Sequence, residues 1–167
     1  MHEQQSSIEI LQQELTREIH RLNRLSTRGI LALALFLAVG TLAWWGFTFL
    51  PSPGSVTAVL GKPPSARIIS IALLLYTFSA LILSLSRMAA GIEHKSSFCH
   101  VGFLTGFFLF YYFAQALEEN YWAVLGAGIT ILGVESYRIW TWCAEGITKK
   151  QEDLAYVTRT GKPPLQE

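Results

Sequence analysis

The stretch GILALALFLAVGTLAWWGFTFL, at Gly29–Leu50, decides the fold of this chain. It is almost wholly apolar, and no charged residue occurs between Arg28 and Lys62. A helix needs roughly 20 apolar residues to cross the hydrocarbon core of a bilayer, which is about 30 Å thick. The stretch therefore predicts a transmembrane helix, and Pro51 and Pro53 mark its end.

Three further apolar segments follow along the chain. The second, IISIALLLYTFSALILSLS at Ile68–Ser86, lies between two arginines, and the third lies between Lys95 and Glu118. The fourth contains two charged residues. A small soluble domain could not cover so much continuous apolar surface. We therefore predict an all-α integral membrane protein with four transmembrane helices, at about 29–50, 68–87, 98–117 and 121–143.

The composition agrees with this class and excludes others. Charged residues make up 15% of the 167 residues, against about 25% in an average soluble domain. The net charge of +1 comes without a clustered basic face, so we predict no nucleic-acid partner. No set of histidines and cysteines supplies enough ligands for a metal site, and Cys99 and Cys143 are expected to be free thiols.

The distribution of lysine and arginine predicts that both ends of the chain lie in the cytoplasm. These residues are enriched beside spans on the cytoplasmic side. The connector Glu118-Glu119-Asn120 has no cation, and the first connector has only Lys62 and Arg67. The cations assigned to the cytoplasmic side are Arg17, Arg21, Arg24, Arg28, Arg87, Lys95, Lys149, Lys150, Arg159 and Lys162.

Residues 1–28 and 145–167 flank the transmembrane domain, 29–144, as a cytoplasmic helix and a cytoplasmic polar tail. The first segment is predicted to be an amphipathic helix, which either lies on the inner leaflet or docks as a coiled coil on a partner. Glu18 occupies one core position of such a coiled coil. The tail contains Gly161-Lys162-Pro163-Pro164, a string that also occurs at 61–64. The apolar stripe of the first segment is Ile8, Leu11, Leu15, Ile19, Leu22 and Leu25.

The charged residues of the fourth span are the most informative polar groups in the sequence. A carboxylate inside a span is costly and needs a partner or water. Glu135 and Arg138 share a helix face, and Arg87 is predicted at the same depth on the second span. We predict an intramembrane ion pair among these three residues. A proton-relay or substrate role for Glu135, or an early end of the fourth span, are the alternatives.

Two further groups of residues suggest helix packing and ligand binding. The glycines Gly102 and Gly106 on the third span, with Gly126 and Gly133 on the fourth, predict close helix packing, because small residues let helices approach. At the outer end, aromatic and polar residues suit a quinone headgroup, and an ordinary aromatic belt is the alternative. The quinone candidates are Trp45, Tyr112, Gln115, Glu118, Glu119 and Trp122.

The stretches WWGFTFLPSPGS (Trp44–Ser55) and ENYWAVLGAGITILGVESYRIW (Glu119–Trp140) resemble small four-span bacterial proteins grouped with menaquinol-linked respiratory complexes. The resemblance covers spans one, three and four, and it identifies no catalytic residue. It implies a bacterial cytoplasmic (inner) membrane, with menaquinone as the cofactor to consider.

We therefore expect a non-catalytic membrane subunit of a larger assembly, whose partners are the lipid bilayer and other membrane subunits. The soluble segments are too small for a catalytic domain, so we predict no enzymatic activity of the chain on its own. A quinone-binding redox subunit is the second hypothesis. A small oligomeric transporter or proton-coupled channel, with a path past Glu135, is the third.

Overall fold

The computed structural model describes residues 2–90 and 98–163, and for 2–7 and Leu60 the backbone alone. The predictions that fall on Lys95 and on the last four residues lie outside this part of the chain. The described part is helical, which confirms the all-α class. Its helices are α1 (His2–Trp44), α2 (Pro53–Leu60), α3 (Ala66–Ala89), α4 (Phe98–Phe113) and α5 (Leu117–Thr160).

The chain divides into two compact units, each containing parts of the two longest helices. The terminal unit consists of Met1–Arg28 and Arg138–Glu167, and the central unit is Gly29–Tyr137. The two amphipathic and polar segments at the chain ends thus form one unit with each other. The apolar segments form the other.

The core of the central unit is built from residues spaced three or four apart on α1, α4 and α5. Such spacing places side chains on one helix face. Phe36 on α1 stacks on Phe108 of α4, with ring centroids 5.9 Å apart. α3 packs on α4 through its own buried face, which includes Ile69 and Leu73. The largest fully buried apolar side chains of this unit are Tyr111, Phe36, Phe108, Leu104, Ile131, Leu132 and Val124.

The first apolar stretch stops being helical earlier than the sequence predicted. α1 ends at Trp44, whereas the predicted span reached Leu50. Gly46 and Phe47 have φ angles of 74° and 46°, in the left-handed region where a right-handed helix cannot continue. Phe47 is nevertheless buried in the core of the central unit. The chain therefore turns at Gly46 and Phe47, and the Phe47 ring packs into the core.

The third apolar segment is also shorter as a helix than predicted. α4 ends at Phe113, so residues 114–116 of the predicted span form a turn rather than helix. Gln115 has a φ of 55° and donates its backbone N–H to the Tyr112 carbonyl at 3.0 Å. α5 begins at Leu117 immediately afterwards. The tight antiparallel hairpin predicted here is present, and its turn uses the residues assigned to the end of the span.

Two described helices are long and apolar enough to cross a membrane. These candidate spans are Ile8–Trp44 within α1 and Ala66–Ala89, and α4 is a shorter apolar helix. In each of the two, 22% of the most apolar window is buried. Large apolar side chains of α3 such as Leu74, Leu75 and Phe78 are therefore exposed. α5 does not meet the same test.

The terminal unit pairs the two ends of the chain in antiparallel fashion. Leu22 of α1 forms a buried cluster with Ile139 and Cys143 of α5. Nearer both chain ends, the Gln12 amide donates to the Thr158 hydroxyl at 3.4 Å. The N-terminal apolar stripe therefore packs on the last part of the same chain. The sequence left two alternatives open, a helix on the inner leaflet and a coiled coil with a partner, and neither named this part of the chain.

A cross-linking experiment tests this pairing. Because Gln12 and Thr158 are hydrogen-bonded, we expect a Gln12→Cys, Thr158→Cys variant to form an intramolecular bridge with a short bifunctional thiol reagent. Exposed Cys99 is replaced by serine in this background. Glu14→Cys with Thr158→Cys is the control, since position 14 lies on another face of α1. Equal bridging of both pairs on non-reducing gels would contradict the observed register.

An ion pair joins the same two helices near the middle of the terminal unit. Lys150 Nζ lies 2.8 Å from Glu18 Oε2. The hydrogen bond and the charge of Lys150 lower the pKa of Glu18 from its ordinary value of 4.5. Glu18 was placed at a coiled-coil core position by the sequence. In the structure, the Lys150 ammonium lies opposite that position and balances the charge of the Glu18 carboxylate.

The lowered pKa of Glu18 predicts how the stability of the pairing between α1 and α5 depends on pH. A lowered carboxyl pKa stabilises the pair above pH 4.5, and that contribution disappears as the pH falls through the lowered value. The pair is largely exposed, so we expect an effect of at most about 1 kcal/mol. The protection of the amides of residues 12–25 against hydrogen exchange, taken relative to the intrinsic exchange rate at the same pH, should therefore fall in acid in the wild type, and less so in Glu18→Gln. A similar acid dependence in Glu18→Gln would assign it to another group.

Candidate functional site

A deeply buried polar contact in the central unit joins α3 to α5. The Ser84 hydroxyl donates a hydrogen bond to Glu135 Oε1. Both residues are buried, with 3% and 1% of their surfaces exposed. A polar group buried away from water is costly unless it has a hydrogen-bond partner. This bond therefore holds the polar part of α5 against α3.

The other members of the predicted ion pair have different environments. Arg138 is buried, with 5% of its surface exposed, and belongs to the terminal unit. Arg87, near the end of α3, is exposed and forms no ion pair with a residue described here. Ser84 is the partner of Glu135 that the sequence analysis missed. The sequence could have identified Ser84, because it lies one helical turn before Arg87 and therefore on the same face of α3.

A cluster of aromatic rings lies where α1 ends and α5 begins. The Trp44 ring is 5.1 Å from the Tyr121 ring and 5.9 Å from the Trp122 ring, measured between centroids. The Tyr121 hydroxyl donates to the Gly40 carbonyl at 3.2 Å, which anchors α5 on α1. Trp122 remains 66% exposed. Flat rings with polar edges in this arrangement suit the boundary between hydrocarbon and water.

A second aromatic group forms at the neighbouring turn. The Tyr112 ring lies 5.7 Å from Phe47 in an edge-on arrangement, and its hydroxyl is 3.5 Å from the Pro51 carbonyl. Within the described residues, no ring contact joins this group to Trp122. Trp45 is 70% exposed and has no ring contact there either. Tyr112 and Trp122 therefore belong to two separate aromatic groups and Trp45 belongs to neither, so the aromatic quinone candidates do not form one continuous surface.

The polar members of the predicted quinone set face solvent. Glu118 and Glu119 lie in the first turn of α5 and are exposed, as is Gln115 in the preceding turn. Carboxylates in a first turn are favourable because they interact with the unpaired N–H groups and the positive end of the helix dipole. Their positions are thus explained by the start of α5, with no ligand required.

The glycines that the sequence assigned to packing are open positions. A Cβ built on Gly102, Gly106, Gly126 or Gly133 meets no described atom within 4 Å. The close approaches occur elsewhere. A Cβ on Gly29 would lie 2.7 Å from Ser136 Cα, and one on Gly128 would lie 2.1 Å from Phe36 Cζ. Spacing on a single helix could not distinguish these glycines, since their contacts depend on which face meets another helix.

A tyrosine–histidine pair connects α3 and α4. The Tyr76 hydroxyl and His100 Nδ1 are 2.7 Å apart, and the Tyr76 ring contacts Phe103 and Phe107 at 5.7 Å. This hydrogen bond and the ring contacts join α3 to α4. The described residues contain no group of three or more His, Cys, Asp or Glu side chains placed to hold a metal ion.

Comparison with family models, with curated proteins and with solved structures finds no significant match to this chain.

Proposed function

We propose that the chain is an integral membrane protein that crosses the bilayer four times, at about 29–50, 68–87, 98–117 and 121–143. The observation that carries this proposal is the exposed apolar surface of the candidate spans. The core helix of a soluble protein is mostly buried, whereas 22% of the most apolar window is buried in α1 and in α3. Such extensive exposed apolar surface is stable when lipid covers it.

The pairing within the terminal unit supports an even number of crossings. Gln12 near one end of the chain contacts Thr158 near the other. Two segments that touch in water lie on the same side of a bilayer. The cation distribution favours the cytoplasm for that side. Two or four crossings satisfy this condition, and the apolar character of α4 and of 121–134 favours four.

The charges of the fourth segment are compatible with a crossing because they do not face outward. Glu135 is buried and hydrogen-bonded to Ser84, and Arg138 is buried as well. Ionisable side chains in transmembrane helices commonly face the protein interior in this way. The lipid-facing side of this segment carries residues such as Ile129.

Thiol labelling tests the proposed orientation. Cys99 is exposed at the start of α4, which is proposed to lie on the cytoplasmic side, and Cys143 is buried. A membrane-impermeant maleimide should label Cys99 in inside-out vesicles and not in intact cells. A Lys62→Cys, Cys99→Ser variant, with its thiol in the connector proposed to face outward, is the matched control and should show the reverse pattern. Labelling of Cys99 from outside would overturn the orientation.

Within this setting, we propose a non-catalytic subunit of a larger membrane assembly. The open glycines of α4 and α5 leave faces that another helix can approach closely. Outside the crossings the described chain consists of short connectors and the terminal unit, which is a helix pair. A menaquinol-linked electron-transfer complex of a bacterial cytoplasmic membrane is the preferred assembly, supported by the resemblance of Trp44–Ser55 and Glu119–Trp140.

Purification from native membranes in a mild detergent tests the subunit proposal. We expect the tagged chain to retain cytochrome-containing or other membrane subunits in fixed proportion. A chain that purifies alone, colourless and as a symmetric oligomer would overturn it in favour of a transporter. Stoichiometric quinone extracted from the isolated chain would favour the redox-subunit hypothesis. An untagged four-span protein of the same membrane serves as the control for detergent carry-over.

A further inference from the structure

The chain between α1 and α3, residues 45–65, exposes large apolar side chains although it lies outside the candidate spans. We refer to it as the α1–α3 connector. Trp45, Phe49 and Val59 have 70%, 66% and 83% of their surfaces exposed. The connector contains no charged residue before Lys62. Exposed apolar surface of this kind marks a region that meets lipid or another protein.

Contacts with the core of the central unit hold the backbone of this connector in place. Phe47 is buried, and its ring lies 5.7 Å from the ring of Tyr112 on α4. Leu50 packs against the same core, and α2 packs on α4. Because these inward contacts fix the backbone, the three exposed side chains cannot turn into the core. The described part of the chain does not cover them.

The hydroxyl groups of α2 have hydrogen-bond partners within the connector. The Ser55 hydroxyl donates to the Ser52 carbonyl at 2.8 Å, and the Thr57 hydroxyl donates to the Pro53 carbonyl at 2.7 Å. Moving a hydroxyl out of water is costly only when it lacks such a partner. The non-helical backbone on both sides of α2 still needs hydration, since irregular backbone is not tolerated against hydrocarbon. These two conditions are met together in the headgroup layer of a bilayer.

The position of the connector favours lipid as the cover of its apolar side chains. It follows the candidate span that ends at Trp44 and leads into the one that begins at Ala66. The exposed side chains of the second span begin with Ile68, which is 59% exposed. The connector is thus continuous at both ends with surfaces proposed to face lipid. Lys62 and Arg67 are exposed beside it, where long cationic side chains can reach lipid phosphates.

We propose that the α1–α3 connector lies in the headgroup layer of the leaflet proposed to face outward, with Trp45, Phe49 and Val59 inserted at the boundary between headgroups and acyl chains. The proposal rests on the membrane crossings proposed above. Helices that lie in this layer bury their apolar side about 5–10 Å into that boundary. Tryptophan is enriched at the same depth, because its ring is apolar and its N–H can remain in water.

Fluorescence quenching of the purified full-length protein in phosphatidylcholine vesicles tests this placement. A thiol-reactive fluorophore is attached to Val59→Cys in a Cys99→Ser background, in which the remaining Cys143 is buried. The quencher is a lipid with a nitroxide near the top of its acyl chain. The matched control is Ala58→Cys in the same background, which is also exposed but lies about 100° farther around α2. We expect quenching at position 59 to be at least about twofold stronger than at position 58, because only the apolar side of an interfacial helix enters the boundary.

Three results would overturn the proposal. The first is equal quenching at positions 59 and 58. The second is stronger quenching at position 59 by a nitroxide at the end of the acyl chain, which would place α2 in the hydrocarbon core. The third is protection of Val59→Cys from a membrane-impermeant maleimide in native membranes that is lost in the vesicles, because another protein would then be the cover. Circular dichroism checks that each variant is folded, and Phe49→Cys gives the same comparison if Val59→Cys is not.

Alkaline extraction of native membranes separates this proposal from the proposed function. A chain released into the supernatant contradicts the membrane crossings, and with them the placement of the connector. A chain retained in the pellet, with equal quenching at positions 59 and 58, leaves the crossings in place and counts against the connector alone.

Discussion

Gly128→Ala is expected to destabilise the protein by about 2 kcal/mol or more, although alanine is the better helix former. The added Cβ would lie 2.1 Å from Cζ of Phe36, which is fully buried. The Phe36 ring is itself stacked on Phe108, so it has little space to move away. Relief requires either an off-rotamer phenylalanine or separation of α1 from α5. Thermal unfolding in mild detergent measures the loss.

The same helix provides a matched control for this substitution. Gly126 lies two residues earlier on α5, and a Cβ there meets nothing within 4 Å among the described atoms. Gly126→Ala should therefore leave the stability unchanged or raise it by up to about 1 kcal/mol. Adding Phe36→Leu to Gly128→Ala should recover part of the loss. Equal melting temperatures for the two alanine variants would contradict the close contact.

Ser84→Ala is the second substitution with a large expected effect, because it removes the hydroxyl that donates to a buried carboxylate. Leaving a buried hydrogen-bonding group without its partner costs about 1–3 kcal/mol. We expect a loss of about 1–3 kcal/mol in a denaturation experiment in detergent. The alanine side chain itself fits, since it is smaller than serine.

A double-mutant cycle isolates this contact from general effects on α3. Ser79→Ala changes an exposed serine of the same helix and should have little effect. In the Ser84→Ala background, Glu135→Gln should be less harmful than in the wild type, because the hydrogen bond that the two residues share has already been removed. Additive losses for the two substitutions would show that the serine and the glutamate are not coupled.

Apolar runs predicted which parts of the chain are helical, but they did not predict where the helices end. The change from apolar to polar residues near Arg28 and Cys143 was treated as a boundary between segments, yet α1 and α5 continue through both points. Hydrophobicity changes where the surroundings change, whereas a helix ends where its backbone hydrogen bonds are interrupted. No proline interrupts either helix there.

The true ends of two helices were marked by a short string that the sequence analysis recorded without an interpretation. Gly61-Lys62-Pro63 follows α2, and Gly161-Lys162-Pro163 follows α5. Gly61 and Gly161 have φ angles of 85° and 63°, and each donates its N–H to a carbonyl four residues back. A glycine in the left-handed region with a nearby proline is a common helix stop. The ends of these two helices could therefore have been predicted from the sequence.

The contacts of the buried groups could not be predicted from any single segment of the chain. Ser84 and Glu135 are 51 residues apart, and their bond depends on how α3 packs against α5. The same is true of Gly128, whose neighbour Phe36 lies on α1. Residue spacing defines the face of a single helix. It does not define which helix covers that face. For this reason the sequence predicted sets of candidate residues but not the contacts between them.

The antiparallel pairing of the chain ends has a consequence for biosynthesis. Gln12 and Thr158 are separated by 146 positions, so the chain must leave the ribosome as far as Thr158 before they meet. Until then the early segment presents Leu15 and Leu22 to water without their final cover. A nascent chain that stalls before Arg138 would keep that stripe accessible to chaperones and proteases, and synthesis through Thr158 would hide it.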